Sequence, residues 1–206
     1  MTNIPFERDL TFEYGTSSDL SPLVRRVVAR NPSMFTLHGT GTYIVGRGKV
    51  AIVDPGPNLP EHVDALLETV RGETVTDIVI THTHIDHSPA TPAVKAATGA
   101  TTWGFGPHGT PSGTAEVEEG ADRDFVPDHE IGDGDIVAGN NWTLEPIHTP
   151  GHTSNHLCLS LREENIMLSG DHVMGWSTSV ISPPDGDMGD YLQSLRKLMT
   201  REELRY

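Results

Sequence analysis

Cysteine is almost missing from this chain: Cys158 is the one thiol in 206 residues. An internal disulfide and a cysteine-rich zinc site are therefore excluded, and a single thiol fits a reducing compartment. Long hydrophobic runs are missing too, so no segment reaches the roughly 18 apolar residues that a bilayer span requires. The N-terminal MTNIPFERDL has charges where a secretory peptide needs an apolar core. The expectation is a cytoplasmic chain with no membrane partner. Positive charge is also scarce, with 14 Lys and Arg against 29 Asp and Glu, a net charge of −15. The only basic clusters are short pieces such as Arg25-Arg26 and Arg196-Lys197. Such a surface disfavours nucleic acid, although bound divalent cations would soften that locally.

What is present is a composition of 35% hydrophobic and 21% charged residues, which suits one globular domain. Residues 1–33 read as an irregular N-terminal segment with a short helix over Leu23 to Ala29, and the main domain as residues 34–206. TYIVG (Thr42 to Gly46) and KVAIVD (Lys49 to Asp54) read as a hairpin turning at Arg47-Gly48. Asn58 with Glu61 forms a capping box, followed by Val63, Leu66, Leu67 and Val70 at helical spacing; His62 is expected to face solvent on that helix. Asp77 to Ile80 is a short apolar strand, and Ser88-Pro89 would cap and start a helix over Pro89 to Thr98. Strands follow at Ala100 to Gly104, Trp142 to His148, His156 to Leu161 and Asn165 to Ser169. Gly104 to Gly120 reads as a mobile loop. A last helix covers about Asp187 to Met199, with Met188, Leu192, Leu195 and Met199 on one face. The alternation of strands and helices indicates an α/β fold.

THTHIDH, residues 81–87, sits between the strand and the helix, where ligand sites are favoured. Residues two apart point the same way in an extended segment, so His82, His84 and Asp86 can converge while His87 faces a neighbouring point. Two adjacent cation sites follow, with ligand types that suit Zn, Fe or Mn. A solvent-exposed polar turn is the bland alternative. Two later stretches add to this. HTPGHTSNH presents His152 after the turn at Pro150-Gly151, with His148 and His156 as structural partners, and LSGDH places Asp171 at the end of an apolar strand. His38, His108, His129 and His172 read as surface or turn histidines.

Together, GTGTYIVGRGKVAIVDPGP, THTHIDH, HTPGHTSNH and LSGDH resemble the metallo-β-lactamase-fold superfamily, closest in pattern to its β-lactamase-like protein 2 and glyoxalase II-like groups. The resemblance implies an α/β (α+β) four-layer αββα sandwich of two mixed β-sheets with helices on the outer faces. It implies a divalent metal cofactor, two Zn ions with Fe or Mn as alternatives. His82, His84 and His152 would hold the first ion, Asp86 and His87 the second, and Asp171 would bridge both. Asp86 would also be catalytic, orienting a metal-bound hydroxide, and Asp54 would support the metal loop from behind. The family's further histidine, in a Gly-His-Gly-like loop, has no counterpart before REELRY, so the expected domain lacks its C-terminal portion.

The implied function is hydrolysis of an ester, thioester, lactone or phosphodiester, with a small-molecule substrate. Asp171 argues against a true β-lactamase. Trp176, Ser177 and Thr178 are candidates to line a pocket. A noncatalytic metal-binding domain is the alternative suggested by the absent histidine, and a ribonuclease-type nucleic-acid hydrolase is disfavoured by the charge. Oligomeric state is not readable.

Overall fold

The computed structural model describes residues 5–109 and 120–203. The first sheet has seven strands in the order β1 (Ser17–Asp19), β2 (Val24–Val28), β3 (Gly41–Val45), β4 (Lys49–Val53), β5 (Thr74–Val79), β6 (Thr101–Gly104) and β7 (His129–Glu130). Strands β1 to β4 pair antiparallel, and β4 to β7 pair parallel. The second sheet runs β11 (Ile166–Leu168), β10 (Leu157–Leu161), β9 (Thr143–His148), β8 (Val137–Ala138). All its pairs are antiparallel, so the expected second mixed sheet is instead an antiparallel one among the described residues.

Alternation along the strands builds two cores from one sheet. Val27, Ile44, Val50, Ile52 and Ile78 point outward and are covered by α1 (Pro60–Thr69) and α2 (Thr91–Thr98). Val24, Val45, Ala51, Val53 and Val79 point the other way and meet Leu144, Leu157, Leu159, Leu161 and Trp142 of the second sheet. On the far face of that sheet Ile147, Cys158 and Met167 pack against Leu198 of α3 (Met188–Leu198). The layers are therefore helix, sheet, sheet, helix, the αββα sandwich expected from the motifs. Every residue of β10 is buried, and burial of its apolar side chains on both faces helps to stabilise the sandwich.

Several local expectations are overturned. Leu23 to Ala29 is not a helix: Val24–Val28 is a strand, because its β-branched residues pack well on a pleated sheet and its backbone is paired on both sides. The capping box is absent: Leu59 is the N-cap of α1, no side chain caps it, and Pro60 supplies the start. Ser88-Pro89 likewise does not begin α2. Ala90 is its N-cap, Pro92 lies in the first turn, and the Ser88 hydroxyl donates to Asp122 instead. His62 faces inward, 2% exposed, 2.9 Å from Thr42 Oγ1. On α3 the expected apolar face is turned out, with Met188, Leu192 and Met199 exposed, while Ser194 and Leu198 are buried. The Ser194 hydroxyl donates to Pro150 O, and Lys197 Nζ reaches His148 O and Asp133, fixing that rotation. Of the expected mobile loop, residues 110–119 lie outside the described residues.

Candidate metal centre

β4 and β5 lie parallel and end on the same side, which places Asp54 beside the start of the THTHIDH turn. Asp54 has a left-handed backbone, φ 50°, a conformation aspartate tolerates better than most residues. Its Oδ1 accepts from Thr81 N at 2.8 Å, and its Oδ2 accepts from Thr81 Oγ1 at 2.7 Å and faces His87 Nδ1 at 2.9 Å. Having given its proton to Asp54, the Thr81 hydroxyl can accept from His82 Nδ1 at 3.0 Å. Asp54 therefore sets the tautomer of His82, leaving its Nε2 as an acceptor, and holds the His87 ring so that its Nε2 faces the centre. The supporting role expected for Asp54 has this geometry.

His152 is brought in from the other sheet. Its Nδ1 donates to Val180 O at 2.6 Å, which leaves Nε2 as its lone-pair nitrogen. Gly151, φ 140°, makes this turn: a Cβ there would come within 2.3 Å of the Tyr191 backbone. His84 Nδ1 then lies 3.1 Å from His82 Nε2 and 3.0 Å from His152 Nε2. Asp171 enters after β11 through Gly170, where a Cβ would meet His156 Nε2 at 2.7 Å. His156 Nε2 accepts from Asp171 N, and its Nδ1 faces Thr149 Oγ1, so His156 holds the Asp171 turn. Asp171 Oδ1 is 3.5 Å from His87 Nε2 and its Oδ2 is 3.9 Å from His152 Nε2. One oxygen thus faces each histidine set, as a bridging residue requires. Asp86 Oδ2 lies 3.4 Å from His87 Nε2.

All six expected residues meet at one centre. Two groups have ligand atoms within 4.8 Å of one another, His82 with His84 and His152, and His82 with His87 and Asp171. Asp86 stands at the edge of the second group rather than inside it.

Electrostatics favour a cation here. Burial, then the charges of His87, His84 and His152, hold His82 well below the ordinary histidine range, as a neutral ligand. Burial and His87 likewise lower His84 against the pull of Asp171 and Asp86. His87 goes the other way: burial opposes its charge, but Asp86, Asp171 and Asp54 together outweigh it and raise it well above the usual value. Burial raises Asp86 and Asp171, and the His87 charge outweighs it in both, so both carboxyls are lowered. Among the described residues, three carboxylates thus converge where one imidazolium answers them, and Asp86 Oδ1 is buried there without a hydrogen-bond partner. Lone-pair nitrogens about 3 Å apart match the roughly 3.3 Å spacing of imidazoles around a tetrahedral ion with bonds of about 2.0–2.1 Å. The residues present fit divalent cations.

Sequence reasoning missed the hydroxyls. Thr40 Oγ1 donates to Asp86 Oδ2 at 2.6 Å, while Asn31 holds Thr40 through its N–H at 3.0 Å and its Oγ1 at 3.1 Å. The GTGTY stretch carries Thr40 in plain view as part of the resemblance, but assigns no role to its hydroxyl. His172 is buried rather than at the surface, packed on the Tyr191 ring at 4.6 Å between centroids. His148 supports its loop through Ser154 O at 2.9 Å. His129 is exposed and stacks on Trp103, and His38 reaches Arg8 O. Beside the centre a cavity of about 440 Å³ opens between the sheets, bounded by Asp86, His87, Asp171 and Trp176 among others; Ser177 and Thr178 do not line it.

Residues 36–206 match the family model of the metallo-beta-lactamase superfamily. The chain belongs to that superfamily. Among its relatives, the atrochrysone carboxyl ACP thioesterase of Aspergillus terreus is 33% identical over 184 residues, covering 88% of this chain and 52% of the relative. The atrochrysone carboxyl ACP thioesterase nsrC of Aspergillus novofumigatus is 36% identical over 165 residues, 79% of this chain and 47% of the relative. The chain thus spans about half the length of these relatives. Among solved structures, ETHE1 from Myxococcus xanthus superposes with a TM-score of 0.66 at 23% identity, covering 89% of this chain and 74% of that one. For this superfamily member, the metallo-β-lactamase fold implies divalent metal binding, and the histidine group is in place for it.

Proposed function

We propose that this superfamily member is a metal-dependent hydrolase of an acyl thioester, with His82, His84 and His152 holding one divalent ion, Asp86 and His87 a second, and Asp171 between them. The observation that carries the reading is the convergence of His82, His84 and His152, with the other nitrogen of His82 and His152 already occupied and an Asp171 oxygen turned toward each set. Bound divalent ions would supply an activated water and an electrophile for the acyl oxygen. Zn suits the histidine-rich first set, so two Zn ions are the assignment for the pair of sites, and Fe or Mn would also suit the imidazole and carboxylate donors. Asp86 remains ionised near neutral pH, and with Thr40 fixed on Oδ2 its Oδ1 is available to orient the attacking water and take its proton. Addition of that water to the acyl carbon and cleavage of the C–S bond yields a carboxylic acid and a thiol. The thioester is preferred over other esters because the relatives named above are thioesterases acting on carrier-linked acyl groups. The acyl group is accordingly a small molecule presented on a thiol carrier.

Metal content per chain, together with hydrolysis of S-acyl N-acetylcysteamine thioesters, tests this. Two equivalents of metal and turnover that is lost in His84→Ala are expected. Metal bound without hydrolysis of any thioester would instead establish a noncatalytic metal-binding domain.

A further inference from the structure

Arg25 and Arg26 are neighbours in β2 and have opposite fates. Arg25 points to the outer face of the first sheet, where its Nη2 meets Glu73 Oε2 at 2.6 Å and Gly46 O at 3.4 Å, and its Nη1 reaches Thr69 O. Arg26 points to the inner face, in line with Val24 and Val28 and directly across the ladder from Tyr43. That face otherwise carries the valines and alanine of the inter-sheet core. Arg26 Nε is buried without a hydrogen-bond partner, and its guanidinium makes no ion pair among the described residues. In a chain with 29 acidic side chains and 14 basic ones, an inward arginine that finds no carboxylate is a conspicuous exception. A charge facing an apolar layer is costly unless something pairs with it.

What faces Arg26 is the cavity of about 440 Å³, a size usual for small-molecule sites. Its walls are largely apolar, with Leu20, Val24, Val28 and Phe35 on one side and Ile166 and Leu168 on the other. The acids in its lining are Glu7, Asp54, Asp86 and Asp171. Asp54, Asp86 and Asp171 are engaged by Thr81, Thr40 and His87 at the metal centre. Glu7 is exposed and is tied by its backbone N–H to Gly175 O. The chamber therefore has the reaction centre at one boundary, an apolar body, and one arginine with a free fork of donors.

We infer that this chamber binds an apolar carboxylic acid, with Arg26 holding its carboxylate, so that the acyl group accepted for hydrolysis carries a second, free carboxylate. The first half of the statement concerns binding alone; the second rests on the thioesterase reading above. Bidentate pairing of a guanidinium with a carboxylate is the strongest form of the interaction and fits arginine in a way that lysine cannot match.

Binding is measured with 2-naphthoate and its neutral counterpart 2-naphthamide on the wild type, Arg26→Met and Arg26→Lys. The acid should bind the wild type roughly ten- to a hundredfold more tightly than the amide. Arg26→Met should abolish that preference, and Arg26→Lys should recover only part of it. Equal affinity of the two probes for the wild type, or a preference that survives in Arg26→Met, overturns the inference; the latter would mean that the cations bind the acid. Melting temperature separates a ligand role from a structural one. Because Arg26 has no hydrogen-bond or ion-pair partner among the described residues, Arg26→Met should melt no lower than the wild type, and a fall of several degrees would overturn the assignment. In the kinetic arm, the N-acetylcysteamine thioester of 6-carboxy-2-naphthoic acid is compared with its methyl ester. The acid-over-ester ratio of kcat/KM should drop by the same factor in Arg26→Met, and an unchanged ratio counts against the inference. If neither thioester turns over, the hydrolase reading fails while the binding result stands by itself.

Discussion

Thr40 and Asn31 show how a ligand can be governed by residues that carry no metal-binding group. The Thr40 hydroxyl fixes Asp86 Oδ2 and is itself fixed by Asn31. Thr40→Val should therefore weaken metal binding by roughly ten- to a hundredfold, and Thr40→Ser should restore most of it, as read by isothermal titration with Zn or Mn salts. Equal affinity in all three proteins would show that Asp86 needs no such support. His62 offers a test with protons. Burial, against the pull of Glu61, lowers it to about 4 from an ordinary 6.5. The unfolded chain takes up a proton below about 6.5 that the folded chain refuses until about 4. The contribution of His62 is therefore fully present above pH 6.5 and is lost as the pH falls from there to 4. The loss is on the order of 3 kcal/mol. Unfolding free energy measured across that window should decline more steeply in the wild type than in His62→Gln, and parallel profiles would rule the effect out.

The elements that were legible in the sequence are those whose periodicity and turn chemistry agree. The hairpin of β3 and β4, the three later strands and α3 lie where alternation and Gly-rich turns placed them, and the six candidate ligands meet because each follows the end of a strand. The misreadings have physical sources. VRRVV shows a helix-like spacing of valines, yet β2 gains two ladders of hydrogen bonds and alternates its arginines between faces. Only the fold reveals that Glu73, distant in sequence, lies ready for Arg25. On α3 the apolar stripe is a poor guide because polar contacts from Ser194 and Lys197 set the rotation. His62 was misplaced because its partner Thr42 belongs to a strand far along the chain. The Arg25–Glu73 pair joins β2 to the turn before β5, and Glu73 Oε1 also accepts from Gly48 N at 2.7 Å. Glu73→Ala strands a guanidinium that is 7% exposed and should cost about 3 kcal/mol by urea denaturation. Arg25→Met combined with Glu73→Leu should recover much of that loss; a single variant as stable as the wild type would show the pair to be dispensable.

For the whole molecule, the metal centre is also a clasp. Its donors come from the turns after β5, β9 and β11, hence from both sheets, and the complete set exists only in the folded state. Free metal at about a hundredfold over its Kd would add about 2.7 kcal/mol of stability. Chelation should accordingly lower the Tm of a metal-loaded sample by roughly 5–10 °C, and a melting curve indifferent to chelator would contradict the ligand set. Apolar periodicity announced only strands alternating with helices; the sandwich and the clasp were both announced by the motifs and the family they resemble.

The inward and outward faces of β2 have a consequence for anyone redesigning this protein. The groups proposed for the reaction stand on turns, whereas the chamber beside them is walled in part by strand side chains, Arg26 and Val28 among them, whose direction is set by the pleat. On the reading given above, a new substrate preference would call for exchanging single residues within a strand at unchanged parity, not for grafting loops. A one-residue insertion in β2 would turn Arg26 outward and Arg25 inward, exchanging a structural anchor for a recognition group in one step.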